Sequence, residues 1–214
     1  MIDVKDIYIL WVGHNTPVII ELAELCGYKV KGLYHYEEGR KGELLHGYPI
    51  VGTNEDLFKD ENLSNRSFAL SMGENQTRIN LSEIIRKKGG FIPTLIHPTA
   101  SVSKFAVIEE GVIIQANSTI QADVEIKAET VISFNVGISH NVIIEKGCYI
   151  ACQTIIGAYT HIREEALIGM GVTTISGKVP YIGKRARIGA GSVVTKPVED
   201  DCIVVGNPAK KIEK

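Results

Sequence analysis

The residues best placed to do chemistry lie in one short run, Ile138-Ser139-His140-Asn141. His140 stands two positions after Ile138, and the matching positions of neighbouring segments hold Lys104, Glu110, Lys146 and Glu164. A slot filled by charged residues faces solvent or another subunit. A histidine there can accept a proton near neutrality, which is general-base chemistry; the alternative is an ordinary surface histidine. Asn141 could orient the ring by a hydrogen bond without adding charge, and it also occupies a slot where asparagine suits a turn. Two small-residue runs, Gly169-Met170-Gly171 and Gly189-Ala190-Gly191, would let an extended ligand approach the main chain. They would equally make tight corners. No metal centre is expected. Cys148 and Cys152 are four apart with no second pair, and the residue five after His140 is Glu145, so a three-histidine zinc site of the γ-carbonic-anhydrase type is not supported.

A repeat must position these residues. From Val102, every sixth residue through Ile168 is Val or Ile, twelve positions in all. The position four after each is small or β-branched, and the position three after is often Gly, Asn or Asp. A period of six fits neither an α-helix nor a hairpin sheet. It predicts a left-handed parallel β-helix, in which each segment makes one short strand and one corner and three segments make a coil. Each inward Val or Ile would contribute about 1.5–3 kcal/mol on burial. The phase slips by two residues in Thr174–Tyr181, where a protruding loop is expected, and resumes at Ile182, Ile188 and Val194. The prism is expected over about 98–200, with about five coils.

The first 95 residues lack the repeat. Ile7–Val12, Lys29–Tyr34 and Ser67–Met72 read as strands, and helices are expected from Pro17 to about Cys26 and from about Gln76 to Lys88. Strands alternating with helices predict a small parallel α/β sheet of Rossmann-like type. Ligands of such sheets sit beyond the strand carboxyl ends. That gathers Gly13, His14 and Asn15, the Tyr34–Tyr36 stretch with His35, and Gly73 through Asn75 around one crevice. The full Gly-x-Gly-x-x-Gly pattern is absent, so a dinucleotide is not expected, whereas a mononucleotide is compatible. The expected fold class is therefore mixed, with an α/β domain over 1–95 and a β-helix domain over 96–214.

Composition narrows the classes further. The 214 residues are 44% hydrophobic and 22% charged, with a net charge of −2, ordinary for a globular protein and unlike a nucleic-acid binder. Lys178–Lys214 carries eight Lys/Arg against four Asp/Glu, a basic stretch that could meet phosphate groups or simply be solvated. Four cysteines read as reduced cytoplasmic thiols. No run is long enough for a transmembrane helix, and Met1–Asp6 lacks the look of a signal peptide.

The chain resembles the bacterial nucleotide-sugar acetyltransferases of the hexapeptide-repeat superfamily, which include bacillosamine and perosamine N-acetyltransferases and sialic-acid O-acetyltransferases. The resemblance rests on Gly13-His14, Tyr48-Pro49-Ile50-Val51-Gly52, Gly73-Glu74-Asn75 with Arg78, and Ile96-His97-Pro98-Thr99-Ala100. Ser139-His140-Asn141, Ile188 through Val194, and Val205-Gly206-Asn207-Pro208-Ala209-Lys210 complete it. It implies a cytoplasmic homotrimer that moves an acetyl group from acetyl-CoA to an amine of a nucleotide-linked sugar, without a metal. It implies His140 as general base, with Asn141 beside it. It places coenzyme A between neighbouring prisms, near Tyr149, Gly169, Met170, Gly171, Gly189, Ala190, Gly191, Pro208 and Lys210. Gly13, His14, Asn15, His35, Gly73 and Asn75 would face the nucleotide sugar. Two departures stand out: the first loop, Leu10-Trp11-Val12-Gly13-His14, is about one residue short, and Tyr34-His35-Tyr36 replaces the acidic end of the second strand. O-acetylation of a sugar hydroxyl and a non-catalytic β-helix scaffold are the rival readings.

Overall fold

The computed structural model describes residues 5–212; the N-terminal Met1–Val4, and Glu213 and Lys214 of the basic stretch, lie outside them. The chain divides into two units, Met1–Leu95 and Ile96–Lys214.

In the first unit, β1 (Lys5–Leu10), α1 (Thr16–Leu25), β2 (Tyr28–His35), β3 (Leu44–Leu45), β4 (Tyr48–Thr53), α2 (Asn54–Lys59), β5 (Ser67–Leu70) and α3 (Asn75–Lys87) follow one another. The sheet order is β3-β4-β2-β1-β5, parallel except for the β3–β4 hairpin. The apolar run of β1 buries Ile7, Ile9 and Leu10 completely, as an inner strand of a covered parallel sheet must. Pro17 starts α1, where a missing N–H costs nothing. Gly27, at φ 83°, lies just beyond the end of α1. Glu74 caps α3 by accepting from the N–H groups of Gln76 and Thr77. Those two donors at the helix start hold the Glu74 carboxyl below its usual value, overcoming the opposing effect of partial burial. The β3–β4 hairpin and α2 were not expected. They are short, and α2 is specified by a Thr53/Asp56 capping box rather than by a long apolar period.

The second unit is the triangular prism. Sheet A has six strands from Ser101–Val102 to Val193–Val194, sheet B has five from Val107–Ile108 to Tyr181–Ile182, and sheet C carries Ile113–Ile114 through Ile203–Val205. Strands pair in parallel with partners eighteen residues on, as in Thr119↔Gly137 and Ile120↔Ile138. Ile114 through Ile168, at every sixth position, are buried, as are Ile182, Ile188 and Val194. Val102 and Ile108 are only partly buried, because they lie in the end coil. The position four after each is also interior, from Val112 to Val172. The intervening corner residue takes a left-handed backbone at each turn from Gly111 (φ 73°) to Gly171 (φ 65°), which explains the Gly, Asn and Asp preference.

Two expectations need correction. The rungs run past residue 200 to Val204, where Lys210–Lys211 folds back antiparallel. The slip at Thr174–Tyr181 does not protrude as a free loop. Pairing steps from eighteen residues to twenty there, His161↔Tyr181, but Thr174 keeps the interior position and Val179 is only 1% exposed. Val179 takes the single interior place of that corner, as Val172 does one corner earlier, and the added length falls in the exposed Ser176–Lys178 turn.

Candidate functional site

The three corners of each coil stack into three edges. His140 lies on the edge between sheets A and B, just past the Gly137–Ile138 strand. Its main-chain N–H donates to Gln121 Oε1 at 3.0 Å. Its ring Nδ1 lies 2.9 Å from Asn141 Oδ1. An amide oxygen only accepts, so this contact puts the imidazole proton on Nδ1 and leaves the Nε2 lone pair outward. Asn141 can do this because its own backbone sits in the left-handed corner at φ 57°. The Tyr159 ring packs edge-on to His140, with centroids 5.3 Å apart at 86°. Next to Asn141 an open groove of about 340 Å³ is lined by Phe105, Val107, Asp123, Glu125 and Ile143.

The small-residue runs lie on the edge between sheets C and A. Gly169 donates to Ile188 O at 2.8 Å, Gly191 to Met170 O at 2.7 Å and Gly189 to Val204 O at 2.9 Å. The glycine N–H groups are therefore used between coils. A Cβ on Gly169 would come within 2.7 Å of Ala190 N and Ile188 O, so packing alone demands glycine there. Met170 and Ala190, at the apex of each turn, are exposed. The tail joins this edge: Gly206 N–H donates to Ser192 Oγ at 3.0 Å and Ala209 N–H to Val193 O at 2.8 Å. Pro208 and Lys210 are exposed beside it. Tyr149 points outward from sheet C, half-buried, and its ring does not share the His140 edge. Within one chain, His140 and the Gly169–Lys210 group thus occupy different edges.

In the first unit the carboxyl ends of β1, β2 and β5 come level, Leu10 pairing with both Tyr34 and Leu70. The loop holding Gly13, His14 and Asn15 is pinned by Thr16, whose Oγ1 accepts from Gly13 N–H at 2.8 Å and meets Ser71 Oγ at 3.0 Å. His14 and Gly73 are exposed. His35 is not: at 3% exposure its Nδ1 accepts from Glu37 N–H at 2.9 Å, and its ring stacks on Tyr36 at 4.6 Å. It shapes its own loop. Asn75 is buried too, its Oδ1 accepting from Arg78 at 2.9 Å. Trp11, stacked on Tyr36 at 5.4 Å, was missed; its left-handed backbone (φ 64°) is set by the chain turning out of β1 and has no sequence signature.

Among the described residues no three His, Cys, Asp or Glu side chains gather as a metal ion would require, and no helix is long and apolar enough to cross a membrane.

No protein-family model matches the chain. A Schizosaccharomyces pombe protein described as an acetyltransferase is 43% identical over 58 residues, and the chloramphenicol acetyltransferase of Klebsiella aerogenes 45% over 64 residues. These matches span 27% of each relative's length. Solved structures match far more of the chain. PerB from Caulobacter crescentus, solved with CoA and GDP-perosamine, is 27% identical with a TM-score of 0.88, covering 97% of both chains. The acetyltransferase domain of PglB from Neisseria gonorrhoeae is 26% identical with a TM-score of 0.88, covering 97% of this chain and 100% of that one. WeeI from Acinetobacter baumannii, at 20% identity and a TM-score of 0.85, shares the fold. The chain is therefore similar, over nearly its whole length, to hexapeptide-repeat acetyltransferases of the nucleotide-sugar type.

Proposed function

We propose that this chain transfers the acetyl group of acetyl-CoA to an amine of a nucleotide-linked amino sugar, in surface glycan biosynthesis. The observation that carries the reading is His140, held by Asn141 with Nε2 outward, on a chain that follows PerB, a protein solved with CoA and GDP-perosamine, from end to end. In this reading the prism winds left-handed, and the Rossmann-like first unit, 1–95, takes the nucleotide through Gly13, His14, Asn15 and Gly73. His35 and Asn75 support those loops from beneath. The second unit, 96–214, carries the acyl chemistry, and the protein works in the cytoplasm.

The split between edges supports a site shared between copies. His140 of one copy and the Met170, Ala190, Pro208 and Lys210 surface of another would together make a complete site. A homotrimer of prisms supplies three such sites. Tyr149, outward on sheet C, would face coenzyme A from the second copy. No metal is required by this chemistry.

The amine nitrogen attacks the thioester carbonyl carbon as Nε2 of His140 takes its proton. The carbonyl π electrons move to oxygen, where backbone N–H groups would steady the charge. When the carbon–oxygen double bond re-forms, the carbon–sulfur bond breaks. The imidazolium returns its proton to the departing thiolate, leaving an amide and free coenzyme A. Asn141 keeps the tautomer correct throughout.

The test is an assay of thiol release from acetyl-CoA with UDP-, GDP-, dTDP- and CMP-linked amino sugars and their hydroxyl counterparts. Turnover with an amino sugar is expected. Release with hydroxyl sugars alone would replace N- by O-acetylation, and no release with any of them would overturn the proposal.

A further inference from the structure

Tyr159 belongs to no motif of the sequence, yet it is the residue that packs against the His140 ring. Of the corner positions from Gly111 to Gly171 it holds the only aromatic side chain. Its backbone is left-handed at φ 62°, a conformation that disfavours a bulky side chain. Burial does not offset this cost, because the residue is 64% exposed. A local penalty with most of the side chain left open to solvent points to contact with something outside the chain.

The coil above holds the turn that carries the ring. Gly157 N–H donates to Thr174 Oγ1 at 2.7 Å and Ala158 N–H to Ser176 Oγ at 3.0 Å. The widened Thr174–Tyr181 corner therefore grips the Tyr159 turn with side chains rather than with the usual carbonyl. Gly157 cannot carry a Cβ, which would fall 2.5 Å from Ser176 N. The two-residue slip thus sets a rigid seat for Tyr159. Below it, Tyr159 N–H reaches His140 O at 3.4 Å.

We infer that Tyr159 is the platform on which the sugar ring of the acetyl acceptor packs, presenting its amine to His140. This rests on the acetyltransferase reading above. A hexopyranose offers a patch of C–H groups that suits an aromatic face, and a tyrosine ring is a stiff, amphipathic partner for it. Tyr159 is on this account a positioning residue for the acceptor and leaves coenzyme A untouched.

Steady-state kinetics with acetyl-CoA and the UDP-, GDP-, dTDP- and CMP-linked amino sugars test it. Tyr159→Ala and Tyr159→Gly should raise the acceptor KM roughly three- to tenfold, with the acetyl-CoA KM unchanged. Tyr159→Phe, which keeps the ring face, should behave as the parent chain. Tyr159→Gly should also hold or raise Tm, since glycine suits the left-handed corner; a loss of acceptor affinity without a loss of stability separates a contact role from a structural one. An unchanged acceptor KM, an equal rise for acetyl-CoA, or failure of the Phe variant would overturn the inference while acetyl transfer by the parent chain stands. Absence of transfer by the parent chain would instead overturn the acetyltransferase reading, and this inference with it.

Discussion

Two histidines on the same prism have opposite surroundings. His140 sits on the A–B edge among Asn141, Gln121 and Tyr159, all uncharged. His161 lies one coil on, outward on sheet B, with Nε2 bound to Glu145 at 2.6 Å. The edge beside it, between sheets B and C, is a ladder of pairs: Lys127 with Glu109 and Glu125, Lys184 with Glu164, Arg163 with Asp200, and Arg185 with Asp201. The backbone register is the same on both edges, so the repeat does not choose the chemistry. Outward slots tolerate any polar residue, and what each histidine can do follows from the partner that holds its ring. The carboxylate of Glu145 holds Nε2 of His161, whereas the uncharged amide of Asn141 holds Nδ1 of His140. Charged pairs that satisfy one another need no ligand; an exposed imidazole held by a neutral amide beside a groove has capacity left over.

The sharpest way to break this contrast is to remove each histidine. His140→Ala is expected to lower turnover by about 10²–10⁴-fold, with little change in Tm because the slot faces outward. His161→Ala should leave turnover close to that of the parent chain. Equal losses would mean that pairing with a carboxylate does not distinguish the two.

The shared-site reading predicts a smaller effect on the C–A edge. Ala190→Trp should raise the acetyl-CoA KM about tenfold, the equivalent of about 1.4 kcal/mol. If His140 of one copy works with Ala190 of another, co-assembled His140→Ala and Ala190→Trp chains should regain part of the activity each lacks. Mixed assemblies no better than the average of the two variants would place the whole site within one chain.

The smallest effect belongs to the charged edge. Glu125 and Glu109 raise the Lys127 amine above its usual value by hydrogen bonding to its charged form. A raised lysine contributes its stabilisation fully below the unfolded value of about 10.4 and loses it as pH climbs through the higher folded value. Thermal melts of the parent chain and Lys127→Ala should differ slightly at neutral pH and converge at strongly alkaline pH or high salt. A difference that persists in high salt would show that the lysine stem, rather than its charge, is what matters.

Much of the prism was legible. Val and Ile at every sixth position state which residues point inward, and the eighteen-residue coil follows from three sides. The corner preference was legible too, since Gly, Asn and Asp mark left-handed turns. Tyr159 shows the limit: an aromatic residue in such a slot is an anomaly visible in the sequence, but its packing on His140 comes from a residue nineteen positions away. The N-terminal unit was read in outline only. Leu44–Thr53 is short and its hairpin turn was not anticipated, and His35, expected to face the crevice at the end of the second strand, proved buried.

By itself the sequence determined the periodic side-chain alternation, and with it the interior of the prism, its corners and the coil length. These depend on near neighbours and on hydrophobic burial, which repeat from segment to segment. Tertiary structure alone decided which outward residues meet. Asn141 directs the His140 proton through a 2.9 Å contact, Glu145 occupies His161, and the glycine N–H groups of the C–A edge are spent between coils. Each of these depends on the direction of a donor or an acceptor in space. Hydrogen bonds are short and angular, so a one-dimensional pattern carries the candidates but not their partners.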